Sequence, residues 1–361
     1  MQRSIYVRPV GLFPAPEDAD EALFAGLPLA GQPLRFTTVE MAERDGARIC
    51  RRTVALSEAV ERDWGRGTLD AARDLDALTA PRPRLAGLSL ERPRIMGIIN
   101  VTPDSFSDGG LHHAAEAAIA HGLRLAEEGA DILDIGGEST RPGAAYVPVE
   151  EELRRVMPVI EGLRAKTDVL ISIDTRKAEV MRRVAGAGAD ILNDVSALMH
   201  DPDAMSVAAE SGLPVILMHA QGDPRTMNDN PQYDDVVLDV FDYLEARIAA
   251  CEAAGIPRAK IVADPGIGFG KHLHHNVAVM SALSLYHALG VPVLLGASRK
   301  KLIDHISDVP NPGDRVPGSL AAALVGAAQG VQIVRVHDVA ATRQALNVWR
   351  AALAGSDKAL A

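Results

Sequence analysis

The sequence predicts an α/β protein, a (β/α)8 barrel (the TIM-barrel architecture) over residues 91–361 preceded by an α+β extension over residues 1–90. Three observations predict it. From residue 94 onward eight short apolar runs recur, amphipathic segments separate them, and every run delivers polar residues at its C-terminal edge. Repeated βα units call for parallel strands joined by right-handed crossovers, and the remaining stretch of about 268 residues matches the roughly 250 typical of a closed barrel. An open doubly wound sheet would want a glycine fingerprint after its first strand, and Asn100-Val101-Thr102-Pro103-Asp104 is not one.

Taken in order, residues 34–40 and 47–54 flank Glu43-Arg44-Asp45-Gly46 and read as a hairpin with a glycine turn; residues 57–64 and 69–78 read as short helices. Pro81, Pro83 and Pro93 punctuate an Arg-rich stretch over 80–94, which marks the boundary of the extension. No chemistry attaches to it, so it reads as a structural appendage or an oligomer contact. The barrel strands are expected at 95–99, 131–135, 169–173, 189–192, 214–218, 260–263, 291–295 and 331–336, with helices at 114–128, 150–163, 177–185, 236–254 and 319–329 among those between them.

Composition bounds the function. With 361 residues, 47% hydrophobic and 24% charged, the chain is globular, and a net charge of −11 makes nucleic acid and anionic membranes poor partners. Cys50 and Cys251 form no zinc spacing. There is no apolar signal region at the N-terminus and no run of about 18 apolar residues, so a cytoplasmic protein is expected.

In a barrel the site forms where strands end. Here the ends are Asn100, Gly136-Gly137-Glu138-Ser139-Thr140-Arg141, Asp174-Thr175-Arg176, Asn193-Asp194, Met218-His219, Asp264, Ser298-Arg299-Lys300 and Arg335-Val336-His337-Asp338. Singly, Asp174, Asn193 and Asp264 are better explained as helix caps. Together they suit a flat heterocycle rich in N–H groups, because a carboxylate accepts two parallel hydrogen bonds. Lys300, Arg335 and His337 lie in the sector where barrels often hold phosphate, beside Asn100. No triad spacing is forced, so the chemistry is electrostatic assistance to a departing anion. The run Gly266-Ile267-Gly268-Phe269-Gly270-Lys271 is one residue short of a P-loop and has His272 where Ser or Thr is required. Gly186-Ala187-Gly188 reads as a helix C-terminal turn, and His112-His113 and His272, His274 and His275 as solvated surface.

Two long motifs then carry a resemblance. Met96-Gly97-Ile98-Ile99-Asn100-Val101-Thr102-Pro103-Asp104-Ser105-Phe106-Ser107-Asp108-Gly109 and Asp134-Ile135-Gly136-Gly137-Glu138-Ser139-Thr140-Arg141-Pro142-Gly143 resemble the signatures of dihydropteroate synthases, a pterin-binding barrel family. The later strand ends fall in that family's order, from about residue 94 to about residue 349; Ala297 stands where Met is expected. The resemblance implies condensation of 6-hydroxymethyl-7,8-dihydropterin diphosphate with 4-aminobenzoate to 7,8-dihydropteroate and pyrophosphate, in folate synthesis. It implies pterin contacts by Asp174, Asn193, Met218, Asp264, Lys300 and Arg335, and diphosphate contacts by Asn100, Thr140, Arg335 and His337, with Mg²⁺ held through Asn100. It further implies an aminobenzoate pocket of Phe106, Arg141, Pro142, Phe269, Ser298 and Lys300, which sulfonamides would share, closing loops at 101–112 and 138–148, and a homodimer through barrel helices. The alternatives are a methyltetrahydrofolate-corrinoid methyltransferase, which has no use for a diphosphate site, and a non-catalytic pterin-binding subunit, which would not need Asn100, Thr140, Lys300 and His337.

Overall fold

The computed structural model describes residues 4–14, 26–61, 68–101, 110–139, 146–222, 227 and 229–356. The chain opens with six short strands, β1 (Ile5–Val10), β2 (Phe13–Pro14), β3 (Leu27–Leu29), β4 (Gln32–Phe36), β5 (Thr38–Asp45) and β6 (Arg48–Ala55). They form two antiparallel three-stranded sheets, ordered β1-β5-β6 and β2-β4-β3. The expected hairpin is β5–β6, pairing Asp45 with Arg48 around Gly46, whose φ is +58°. Its first arm begins at Thr38; residues 32–36 belong to the second sheet, so the expected 34–40 strand is split in two. Helices α1 (Leu56–Glu61) and α2 (Thr68–Thr79) come next.

The extension shares one apolar core with the barrel, to which it contributes Tyr6, Phe36, Met41 and Leu78, all fully buried. Tyr6 meets Phe241 edge-on at 5.6 Å, and its hydroxyl donates to Asp242 at 2.9 Å. Arg44 pairs with Asp239 at 2.5 Å and Asp242 at 2.9 Å, Arg51 pairs with Asp235, and Arg73 reaches Glu245 at 3.0 Å. The acidic side of one barrel helix, Val236–Ala253 with its N-cap Asp235, is thus covered by arginines of the extension.

The barrel alternates β7 (Arg94–Asn100), α3 (Gly110–Glu127), β8 (Ile132–Gly136), α4 (Val149–Arg164), β9 (Leu170–Asp174), α5 (Ala178–Gly186), β10 (Ile191–Asp194), α6 (Ala204–Ser211), β11 (Val215–Met218) and α7 (Val236–Ala253). It continues with β12 (Ile261–Asp264), α8 (Leu273–Ser281), a 3-10 segment (Leu283–Leu289), β13 (Leu294–Leu295), α9 (Lys301–Ser307), α10 (Val316–Ala327), β14 (Ile333–Val336) and α11 (Val339–Ala354). The eight strands run parallel in the order β12-β11-β10-β9-β8-β7-β14-β13, and a parallel bridge between Ala263 and Val293 closes the ring. Amphipathic spacing places the helices: α4 buries Leu153, Val156, Val159, Ile160 and Leu163 at three- and four-residue intervals. Asp235 caps α7 by accepting from Val237 and Leu238 N–H groups, each at 3.1 Å. Among the described residues no helix is long and apolar enough to cross a membrane.

The bottom of the barrel is shut by apolar side chains. Met96, Ile132, Ile191, Ile216, Val262, Leu294 and Ile333 supply one buried inner residue from each of seven strands, with Leu170 of the eighth packed against them. Beneath sits a tight turn, closed by mutual backbone bonds between Leu85 and Leu88, that inserts Leu85 and Leu90.

Candidate active site

Side chains alternate along a strand, so the residue two positions beyond each of these inner residues faces the interior again, one layer nearer the mouth. Ile132 is followed by Asp134, Leu170 by Ser172, Ile191 by Asn193, Val262 by Asp264 and Ile333 by Arg335, while Met96 is followed by Ile98, Ile216 by Met218 and Leu294 by Gly296, so five of the eight positions are polar. An apolar layer gives way to a polar one within a single strand period. Asp134, fully buried, accepts from Asn193 Nδ2 at 3.2 Å and from Arg335 Nε at 2.6 Å. Arg335 Nη2 donates to Asp174 Oδ2 at 2.9 Å. Strand register sets Asp174 beside both Gly136 and Asn193, and Met218 beside Asp264.

Burial dominates the electrostatics. It raises the Asp174 carboxyl, with Arg335 opposing the rise and Asp134 adding to it. Asp264 is raised for the same reason against Lys300, while its Oδ1 accepts the Gly266 N–H at 2.7 Å. Burial opposes the charge on Arg335, but Asp134 and Asp174 overcome it and hold the guanidinium protonated. Burial pulls Lys300 down to about 8, although Asp264 pushes back. Carboxylates pushed up and a lysine pulled down at one end of the barrel mark a candidate binding site.

Glycines keep the layer open. A methyl on Gly296 would stand 3.9 Å from Arg335 Cβ, Asp264 Oδ2 and Lys300 Nζ alike, and one on Gly136 would meet Asp174 Cβ at 3.6 Å. Gly266 is forced by its neighbours: its φ is +68°, and a Cβ there would fall 1.9 Å from the His219 carbonyl oxygen. The loop it starts carries Phe269, whose ring lies 4.6 Å below Lys300 Nζ; Lys300 also donates to the Ile267 carbonyl. Two residues before Lys300, Ser298 Oγ lies 3.0 Å from His337 Nδ1.

The structure therefore brings Asp174, Asn193, Met218, Asp264, Lys300 and Arg335 together, with Phe269 alongside and the Ser298–His337 pair on the two adjoining strands. Asn100 ends β7 and pairs in register with Gly136. Phe106, Thr140, Arg141 and Pro142 lie outside the described residues, as does most of both expected closing loops. Helix capping accounts for neither Asp174 nor Asn193, whose side chains pair with Arg335 and Asp134; it is the next residue, Asp194, that accepts from Ser196 and Leu198 N–H groups. His272 and His274 are exposed, His275 packs on Tyr233, and Gly186 ends α5 with Gly188 just beyond it at φ +102°.

Three features escaped the reading of the sequence. Asp134 organises the polar layer yet sits within an apolar run. Lys271, deeply buried, donates to His219 Nδ1 and the Gly266 carbonyl at 2.9 Å each, and burial lowers it to about 7; its bonds fix the loop beneath Lys300. Glu138 accepts from Lys177 at 2.9 Å and from the Val147 N–H at 3.1 Å, tying together the two ends of the loop after β8.

No group of three or more His, Cys, Asp or Glu among the described residues could hold an ion. A lone amide oxygen at Asn100 suits a hard cation that keeps most of its ligands as water and substrate phosphate, which is the habit of Mg²⁺.

Comparison with known proteins points the same way. The family profile described as pterin binding enzyme matches residues 96–337. Dihydropteroate synthase of Escherichia coli K12 is 50% identical over 270 residues, 75% of this chain and 95% of that protein. The Neisseria meningitidis serogroup B enzyme of the same name is 51% identical over 269 residues, 73% of this chain and 94% of that protein. Among solved structures, Xanthomonas albilineans dihydropteroate synthase with 4-aminobenzoic acid superposes with a TM-score of 0.72 at 56% identity, covering 76% of this chain and 99% of that one. The same enzyme in complex with 7,8-dihydropteroate gives 0.69 at 53% identity, covering 76% and 99%. The inner layer of charged side chains and this likeness over nearly the whole length of those proteins agree, and the chain belongs to the dihydropteroate synthases of the pterin-binding enzyme family.

Proposed function

We propose that the protein joins 6-hydroxymethyl-7,8-dihydropterin diphosphate to 4-aminobenzoate, releasing pyrophosphate and forming 7,8-dihydropteroate. The observation that carries this reading is the polar layer, in which buried carboxylates, an amide and two cations surround a space floored by Gly136 and Gly296. A flat pterin offers the N–H groups that Asp174 and Asp264 accept and the ring oxygen and nitrogen that Lys300 reaches, with Asn193 and Met218 completing the walls.

The diphosphate lies toward the mouth, against His337 and Arg335, with Thr140 added from the loop after β8. Breaking the C–O bond leaves positive charge on the pterin methylene and negative charge on the leaving group. His337 and Arg335 stabilise the departing anion in place, without reorganisation. Asn100 would hold Mg²⁺, which would supply further neutralisation of that charge. Ser298 and Lys300 orient the aminobenzoate, and Phe106, Arg141, Pro142 and Phe269 wall its pocket. Its amine is unprotonated at neutral pH and attacks without a strong general base. A homodimer through the barrel helices is consistent with the exposed apolar residues Val325 and Val348 on α10 and α11.

The test is pyrophosphate release by the full chain with Mg²⁺ and pterin diphosphate, with and without 4-aminobenzoate. Release that depends on aminobenzoate, with dihydropteroate formed, is the expected result. Binding of pterin diphosphate with no aminobenzoate-dependent release contradicts it.

A further inference from the structure

At the closed end of the barrel, opposite the mouth, a cleft of about 520 Å³ is walled by all three parts of the chain. The extension contributes Pro14 and Gln32, the segment beneath the barrel Glu91, Arg92 and Arg94, and the last helix Arg350. Its charge is unusual for a chain with a net charge of −11. Asp131 is shared by three arginines, lying 2.5 Å from Arg343, 3.1 Å from Arg94 and 4.0 Å from Arg92. Arg350 is close enough to repel Arg92 as well. Arg343, Arg94 and Arg92 thus gather around Asp131, and Arg350 and Glu91 line the cleft beside them. Arg94 and Arg343 are occupied by Asp131, by the Ser89 carbonyl at 2.6 Å and by the Gly129 carbonyl at 2.6 Å. Arg92, whose side chain is 38% exposed, has no acceptor closer than that 4.0 Å contact among the described residues.

Like charges packed together are unfavourable unless an anion relieves them, and arginine's planar fork matches phosphate oxygens two at a time. The volume suits a ligand of nucleotide size, and Leu353, Ala354 and the two prolines Pro14 and Pro33 provide an apolar wall for its body. We propose that this cleft is a second binding site, for a phosphorylated small molecule of nucleotide size, whose phosphate is held by Arg92 and Arg350. The extension completes the site, since Gln32 lines the cleft and anchors to the Leu90 carbonyl.

The experiment is isothermal titration of the full chain with adenosine 5′-diphosphate and with inorganic pyrophosphate, using three proteins: the unaltered chain, Arg92→Ala combined with Arg350→Ala, and His337→Ala as a control at the mouth. Equal melting temperatures establish that the first variant is folded, as expected for two side chains at the rim. The proposal expects saturable binding of adenosine 5′-diphosphate that the double substitution weakens by about tenfold or more and His337→Ala leaves unchanged. Absence of saturable binding up to millimolar concentration overturns it. So does binding that survives the double substitution, or that only His337→Ala removes. Pyrophosphate bound solely in a His337-dependent way belongs to the mouth and equally counts against the cleft.

Discussion

Two adjacent layers of the same barrel interior differ in almost every physical respect. The lower layer, with Ile191, Ile216, Val262 and Ile333, is dry and apolar; the upper one, a single strand period away, holds Asp134, Asn193, Asp264 and Arg335. Backbone geometry is the same in both, so the contrast comes from side chains alone. The lower layer contributes stability through burial. The upper layer keeps charges out of water in return for the capacity to bind, and its internal ion pairs only partly offset that cost. In this fold stability and function are separated along the barrel axis by two residues per strand.

The largest effect should come from breaking the hub of the upper layer. Arg335→Ala leaves Asp134 buried without its cation and removes a stabiliser of the leaving group. We expect a loss of about 3–5 kcal/mol in urea unfolding and a fall in kcat of about 10²–10³. Stability and activity both near those of the unaltered protein would break the comparison. Next comes the lower layer: Ile191→Ala should cost about 2–5 kcal/mol while pterin diphosphate affinity, titrated on the folded fraction, stays unchanged. A parallel loss of affinity would show that the layers are not separable.

A smaller effect sharpens the contrast through pH. Lys300, lowered from 10.5 to about 8, is cationic below pH 8 and loses its charge above it. Ligand affinity should fall by up to about tenfold per pH unit above pH 8. Lys300→Arg should abolish that fall. Stability moves the other way: between the folded pKa and the unfolded value the unfolded chain binds more protons, so the contribution of Lys300 to unfolding free energy rises with pH. An affinity profile unaltered by Lys300→Arg would remove Lys300 from the binding layer.

Much of the barrel was legible because parallel strands buried on both faces read as continuous apolar runs, and because the residues at the C-terminal edge of each run are polar for a reason of position. The extension was less so. Strands of two and three residues, such as Phe13–Pro14 and Leu27–Leu29, are too short to show alternation, and both pair with β4 rather than with each other. Asp134 was hidden because its partners lie 59 and 201 residues away. Lys271 looked like the residue of a failed phosphate loop; three left-handed glycines, Gly266, Gly268 and Gly270, instead fold the loop so that carbonyls meet the ammonium.

The separation is tested most directly on one strand, β12, with Val262→Ala and Asp264→Asn. Each variant is carried through urea unfolding and titration with pterin diphosphate from the same preparation. The account predicts that Val262→Ala loses about 1–3 kcal/mol of stability with affinity intact. Asp264→Asn, which replaces a carboxyl raised by burial with a neutral amide, should keep or gain stability while affinity falls by about 1.5–3 kcal/mol. Equal losses of stability and affinity in both variants would contradict it.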